Sequence, residues 1–248
     1  MPATPTTPAA PVGLAKQILT ALRARANPDN VTGMARYGIT TDNALGVPVP
    51  FMRTFAREAR KQLGRDKAAW HELAALLWAA EVHEARITAT LVDVAELVDE
   101  GQMETWALDI DSWDICDQAT NNLFRETAPA WPKAAEWPGR PEEFVKRAGF
   151  VLGASLAVHD KAADDCGFLP LLALALREST DERNMVKKAV NWQIRQIGKR
   201  SATLNAAAIE TCERILATHP ESKAARWIAR DALRELRSAA VRARLGLL

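Results

Sequence analysis

Segments that read as helices recur roughly 35–40 residues apart along this chain, joined by short linkers, and almost nothing in it reads as a strand. Val and Ile seldom alternate with polar residues, a single Tyr is present, and no Asn-Gly or Asp-Gly pair marks a hairpin. Helix punctuation is plentiful. "PEEFVKRAGFVLGASLAVHD" opens on Pro141 and two glutamates, which suit a first turn. "STDERNMVKKAV" sets a Ser/Thr/Asp cluster ahead of a periodic run. Helices are expected near 13–27, 50–63, 67–79, 82–99, 112–126, 141–159, 167–178, 182–198, 202–217, 222–235 and 236–246. The spacing is that of HEAT-like arrays. The expected fold is all-α, a HEAT-like α-solenoid of paired antiparallel helices, with a compact helical bundle as the alternative. Residues 13–248 are expected to form one such domain behind a disordered Pro/Thr-rich leader at 1–12.

Net charge is +1 over 248 residues, so bulk electrostatics select no partner. The distribution is uneven. From Glu84 to Glu126 there are 11 acidic and 2 basic residues; from Arg177 to Arg244 there are 15 basic and 8 acidic. One basic working surface fits this asymmetry. Cys116, Cys166 and Cys212 are scattered, with no CxxC or Cys/His cluster to suggest a disulfide framework or a zinc site. No apolar run is long enough to span a membrane, and the N-terminus lacks the basic start and apolar core of a signal peptide. A cytoplasmic, reduced protein is expected. "HELAALLW" and "HEARITA" begin His-Glu without completing HExxH, so no metal is expected. Gly46 before "VPVP" reads as a turn and helix entry rather than a phosphate loop.

"DERNMVKKAVNWQIRQIGKR", residues 181–200, places a tryptophan among its cations. With Val186 at zero and about 100° per residue, Val190, Ile194 and Ile197 fall at about 40°, 80° and 20°, the core stripe. Lys188, Arg195, Lys199 and Trp192 fall at about 200°, 180°, 220° and 240°, opposite it. A neighbouring helix, a protein partner or a nucleic acid could cover that indole. "DSWDICDQATNNLFRET" repeats the oddity: Trp113 and Asp117 stand at i and i+4, away from the stripe of Ile115, Ala119 and Leu123. Asp117 either pairs with a cation, such as Arg125 or one across a repeat, or stabilises positive charge on a substrate. Arg147 either pairs with Glu143 one turn away or sets its guanidinium fork on a phosphate.

Five blocks, "YGITTDNALGVPVPFMRTFARE", "LLWAAEVHEARITATLV", "SWDICD", "FVKRAGFVLGASLA" and "DERNMVKKAVNWQIRQIGKR", resemble in order and spacing the AlkD-type DNA glycosylases, the HEAT-like family of DNA alkylation repair. The likeness covers roughly residues 35–235. It implies a concave DNA-binding face and a cleft in which Trp113, Asp117, Arg147 and Trp192 are the catalytic set. It implies hydrolysis of the N-glycosidic bond of cationic N3- or N7-alkylated purines in double-stranded DNA, without a deep base-flipping pocket. Asp117 would stabilise an oxocarbenium-like sugar and position water, the indoles would flank it, and Arg147 with Lys188, Arg195, Lys199 and Arg200 would grip the backbone. No cofactor is implied, and a monomer is expected. A non-catalytic binder of damaged or structured DNA on the same cleft is the alternative, and a protein-scaffolding array a third.

Overall fold

A computed structural model describes residues 10–247. Most of the expected leader, residues 1–9, lies outside the described residues, and the first helix starts at Pro11. Every regular element among the described residues is helical, as the strand-poor sequence requires. The helices gather in two compact units, one ending at Asp99 and one beginning at Glu100.

The first unit holds α1 (Pro11–Arg23), α2 (Pro28–Arg36), α3 (Val49–Leu63), α4 (Lys67–Trp78) and α5 (His83–Val92). α3 and α4 both pack on α5, and α1 packs on α4. Glu84, on α5, is fully buried. Its carboxylate accepts backbone N–H bonds from Leu45, Gly46 and Val47, the one from Gly46 at 2.6 Å. Gly46 turns there with φ +76, and a Cβ on it would stand 2.3 Å from the Asn27 carbonyl oxygen. The turn read from the sequence is therefore fixed by a carboxylate 38 residues away.

The second unit holds α6 (Glu100–Asp109), α7 (Trp113–Asn122), α8 (Ala130–Glu136), α9 (Glu143–His159), α10 (Leu169–Arg177), α11 (Asn184–Gly198), α12 (Ala202–Thr218), α13 (Lys223–Leu236) and α14 (Ala239–Arg244). α7, α9, α11 and α13 pack in succession as one layer, and α8, α10 and α12 as the other. This paired layering is the HEAT-like arrangement. α9 is the central helix, buried on all sides from Val145 to Ala157, and it meets α11 closely. A Cβ at Gly153 would stand 2.1 Å from Gln193 Oε1. Hydroxyl caps set several starts: Ser201, Ser222 and Ser238 accept from the N–H of Leu204, Ala225 and Val241.

The structure corrects the expected helix boundaries. The helix expected over 82–99 stops at Val92, where the peptide turns at Asp93 (ψ 166), and a single 3-10 turn, Ala95–Leu97, follows. The helix expected to 126 ends at Asn122. α2, α6 and α8 were not foreseen. α2 buries none of its residues, so no apolar stripe marks it; Asn27 caps it and Pro28 occupies its first turn.

No helix among the described residues is long and apolar enough to cross a membrane. Several carboxylates of the acidic block serve the structure. Glu84 holds a loop, Asp93 bonds His71 Nδ1 at 2.7 Å, and Glu100 and Glu104, with Glu136 from beyond the block, surround the buried Lys133 ammonium.

Candidate nucleic-acid interface

The candidate site is built on α7, α9 and the first turns of α11. α7 presents Trp113 and Asp117 one turn apart, both half-buried, while Ile115, Cys116 and Ala119 face the core. The helical-wheel separation of two faces is thus realised. Asn121 donates its amide to the Asp117 carbonyl oxygen at 2.8 Å and accepts the Ser155 hydroxyl of α9 at 3.0 Å, so the turn carrying Asp117 is tied to the central helix.

Arg147 reaches across from α9. Its Nε donates to Asp117 Oδ1 at 3.0 Å and its Nη2 to Oδ2 at 2.8 Å, a bidentate fork. Its Nη1 donates to the Met185 carbonyl oxygen in the first turn of α11, at 2.6 Å. The guanidinium carbon lies 5.9 Å from the centroid of the Trp113 ring. One side chain therefore joins all three helices. The sequence offered Arg147 a partner one turn away or a phosphate; in the fold its fork closes on Asp117 instead. Of the readings open for Asp117, pairing with a cation across a repeat is seen, and that cation is Arg147.

The exposures of the pair differ. The Arg147 side chain keeps 6% of its surface and Asp117 keeps 19%, so the carboxylate is the partner that solvent or a ligand can reach. Burial pushes the Asp117 carboxyl above the usual aspartate range; the charge and hydrogen bonds of Arg147 pull it back, and Asp114 adds a smaller upward push. Burial likewise raises the neighbouring Cys116 thiol, far from any reactive range.

On α11, Val186, Val190, Ile194 and Ile197 are fully buried, as the stripe required. Trp192 lies on the opposite side and is half-buried. Met185, Lys188 and Trp192 share that side at i, i+3 and i+7, so the carbonyl held by Arg147 begins the face that carries the indole.

The four expected backbone cations divide. Lys188 is exposed. Arg195 donates to Glu235 and to Asn191 Oδ1 at 3.3 Å, and Lys199 donates to Glu235 at 2.7 Å. Arg200 is enclosed: it donates to the carbonyls of Ala157, Asp160 and Ala163 and to Asp165, with its guanidinium 4.7 Å from the Phe168 ring centroid. Met185, Asn121 and Ser155 were not anticipated, since a backbone carbonyl and two small polar residues carry no signal in a single sequence. Among the described residues no group of three His, Cys, Asp or Glu side chains is placed to hold a metal ion.

No curated protein matches the chain. A solved structure described as "a new family of proteins related to the HEAT-like repeat DNA glycosylases with affinity for branched DNA structures" superposes with a TM-score of 0.64, over 80% of this chain and 82% of that one, at 17% identity. At that identity the likeness speaks for the HEAT-like fold alone. The family model described as "DNA alkylation repair enzyme" matches residues 18–236, and with most of its length so matched the chain belongs to the DNA alkylation repair enzyme family.

Proposed function

We propose that this protein is a monofunctional DNA glycosylase that hydrolyses the N-glycosidic bond of cationic N3- or N7-alkylated purines in duplex DNA. The observation that carries the reading is the Arg147–Asp117 fork beside Trp113. It holds one carboxylate in a fixed orientation, partly open, next to an aromatic face.

An alkylated purine that already bears positive charge needs no strong general acid to leave. The C1′–N bond breaks heterolytically, its electron pair passes to the purine nitrogen, and the departing base is neutral. The remaining task is to stabilise the cationic sugar and supply water. Asp117 is preorganised for both. Each of its oxygens accepts one N–H of Arg147 and retains a second lone-pair direction. One oxygen faces the developing charge at C1′; a water held on the carboxylate attacks C1′ and its proton passes to Asp117 or to solvent. Arg147 acts through Asp117 and is a positioning residue. Trp113 and Trp192 offer ring faces that favour an electron-poor partner. Lys188, exposed on the Trp192 side of α11, supplies a phosphate contact.

The second reading is a non-catalytic binder of structured DNA. It is favoured by the solved relative, whose description names affinity for branched DNA. A base-release assay on duplex DNA carrying 7-methylguanine or 3-methyladenine separates the two. The protein is expected to release free base, and Asp117→Asn to lower the rate at least about tenfold while duplex binding persists. Binding without release by the parent protein would leave only the second reading, and equal rates for parent and variant would remove Asp117 from the mechanism.

A further inference from the structure

α13 repeats the outward face of α11 one period later. Lys188, Trp192 and Arg195 recur as Lys223, Trp227 and Arg230, within the shared pattern Lys-Ala-x-x-Trp-x-x-Arg. The inward positions recur in the same register. Val190, Ile194 and Ile197 correspond to Ala225, Ala229 and Ala232, and all six are fully buried. The helices lie side by side, with Asn191 Nδ2 donating to the Ile228 carbonyl at 3.0 Å.

The second copy differs from the first in what surrounds its indole. Trp227 is 41% exposed, and the Lys187 ammonium stands 5.4 Å from its ring centroid. It lines an open groove of about 520 Å³ with Lys223, Arg226, Arg230, Asp231 and Arg234. Lys223, Arg226 and Arg230 form no ion pair or side-chain hydrogen bond among the described residues. Asp231, the one carboxylate in the lining, is paired with Arg234 and lies 3.9 Å from Arg195. The groove therefore pairs a partly exposed indole with three cations that have no carboxylate partner, and its one carboxylate is already paired. Such a lining has the charge and aromatic character that suits a polyanion.

An indole face stacks on the face of a base, and inside a duplex, away from its ends, both faces of each base are covered by neighbours. An unpaired nucleotide presents one, while cations along the groove hold the phosphates of its strand. We infer that the α13 groove binds an unpaired stretch of DNA adjoining the duplex, with one base stacked on Trp227 and its phosphates on Lys223, Arg226 and Arg230. The inference rests on the reading that this protein binds DNA, and not on cleavage by Asp117.

Fluorescence anisotropy of the full-length protein on undamaged probes tests it: a blunt duplex, and the same duplex with a single-stranded tail. The parent is expected to favour the tailed probe. Trp227→Ala should weaken tailed-probe binding at least about fivefold, the low end for one lost base–aromatic stack, and change blunt-duplex binding less than twofold. Trp227→Phe should retain most of the preference, and Arg230→Ala should repeat the selective loss. No tail preference in the parent, unchanged tailed binding by Trp227→Ala, or equal loss on both probes overturns the inference. A parent that binds neither probe sinks it together with the DNA reading, whereas base release from a blunt methylated duplex, run in parallel, reports on the glycosylase reading and not on Trp227.

Discussion

Arg147 sets Nε and Nη2 on the two carboxylate oxygens of Asp117, at 3.0 and 2.8 Å, across the seam between α7 and α9. The fork joins two helices, and the carboxylate it fixes is the partner left partly open. Removing only the guanidinium leaves a largely desolvated carboxylate without its counter-charge. Arg147→Met is therefore expected to cost about 3 kcal/mol, the lower end for a broken buried pair given the residual exposure of Asp117. Adding Asp117→Asn should recover part of that loss. Urea unfolding of the two single variants and the double variant measures the coupling; strictly additive losses would show that the pair is not energetically joined.

The same geometry fixes a pH dependence. Burial raises the Asp117 carboxyl above its ordinary value of 3.8, with Arg147 opposing. Catalysis as proposed uses the ionised form, so base release falls as pH drops through the raised value. The acid limb of the rate should therefore have its midpoint above 3.8, measured as enzyme-dependent release after subtraction of spontaneous depurination. A rate that stays flat down to pH 4 would separate the reaction from this carboxylate. Arg147→Lys replaces the planar fork with a point charge; it should lower the rate more than it alters duplex affinity.

In the first unit, Glu84 is a second buried carboxylate, satisfied by backbone donors of Leu45, Gly46 and Val47. Glu84→Ala strips partners from three N–H groups together and should destabilise the protein by about 3 kcal/mol or more. Gly46→Ala attacks the same turn from the other side, through its positive φ and the 2.3 Å approach to the Asn27 carbonyl. Both variants should lower the urea midpoint, whereas Glu84→Gln, which keeps one acceptor oxygen, should lower it less. A midpoint unchanged by Glu84→Ala would mean that the loop does not depend on this carboxylate.

What the sequence revealed and what it hid divide by range. The core stripe of α11 was legible because i, i+3 and i+4 periodicity is local, and Val186, Val190, Ile194 and Ile197 are indeed buried. The two-faced character of α7 was legible for the same reason. The partner of Arg147 was not, since Asp117 lies 30 residues away and no helical wheel contains it. The same holds for Arg195 and Lys199, whose shared carboxylate Glu235 is 40 and 36 residues distant. In a repeat fold, ionic partners sit about one period apart, so a cation on a free-looking helix face meets its neighbour from the next repeat. α2 was hidden for a different reason: it has no buried stripe to betray it.

That range effect separates two cations which look equivalent in the sequence. Lys188 is exposed, whereas Arg200 is consumed by three carbonyls, Asp165 and the Phe168 ring. A lysine that neutralises one phosphate releases counterions on binding. Its loss should reduce the magnitude of the slope of log K against log salt by about 0.9. Lys188→Ala is thus expected to weaken duplex binding, with the shallower slope, while leaving unfolding unchanged. Arg200→Ala should do the reverse: three carbonyls lose their donor, stability falls by roughly 3 kcal/mol, and the salt slope of the folded protein stays as it was. Binding isotherms at several salt concentrations, together with urea melts of both variants, provide the comparison. A shallower slope for Arg200→Ala would show that its side chain leaves these partners to meet DNA, and an unchanged slope for Lys188→Ala would take α11 out of the phosphate contact.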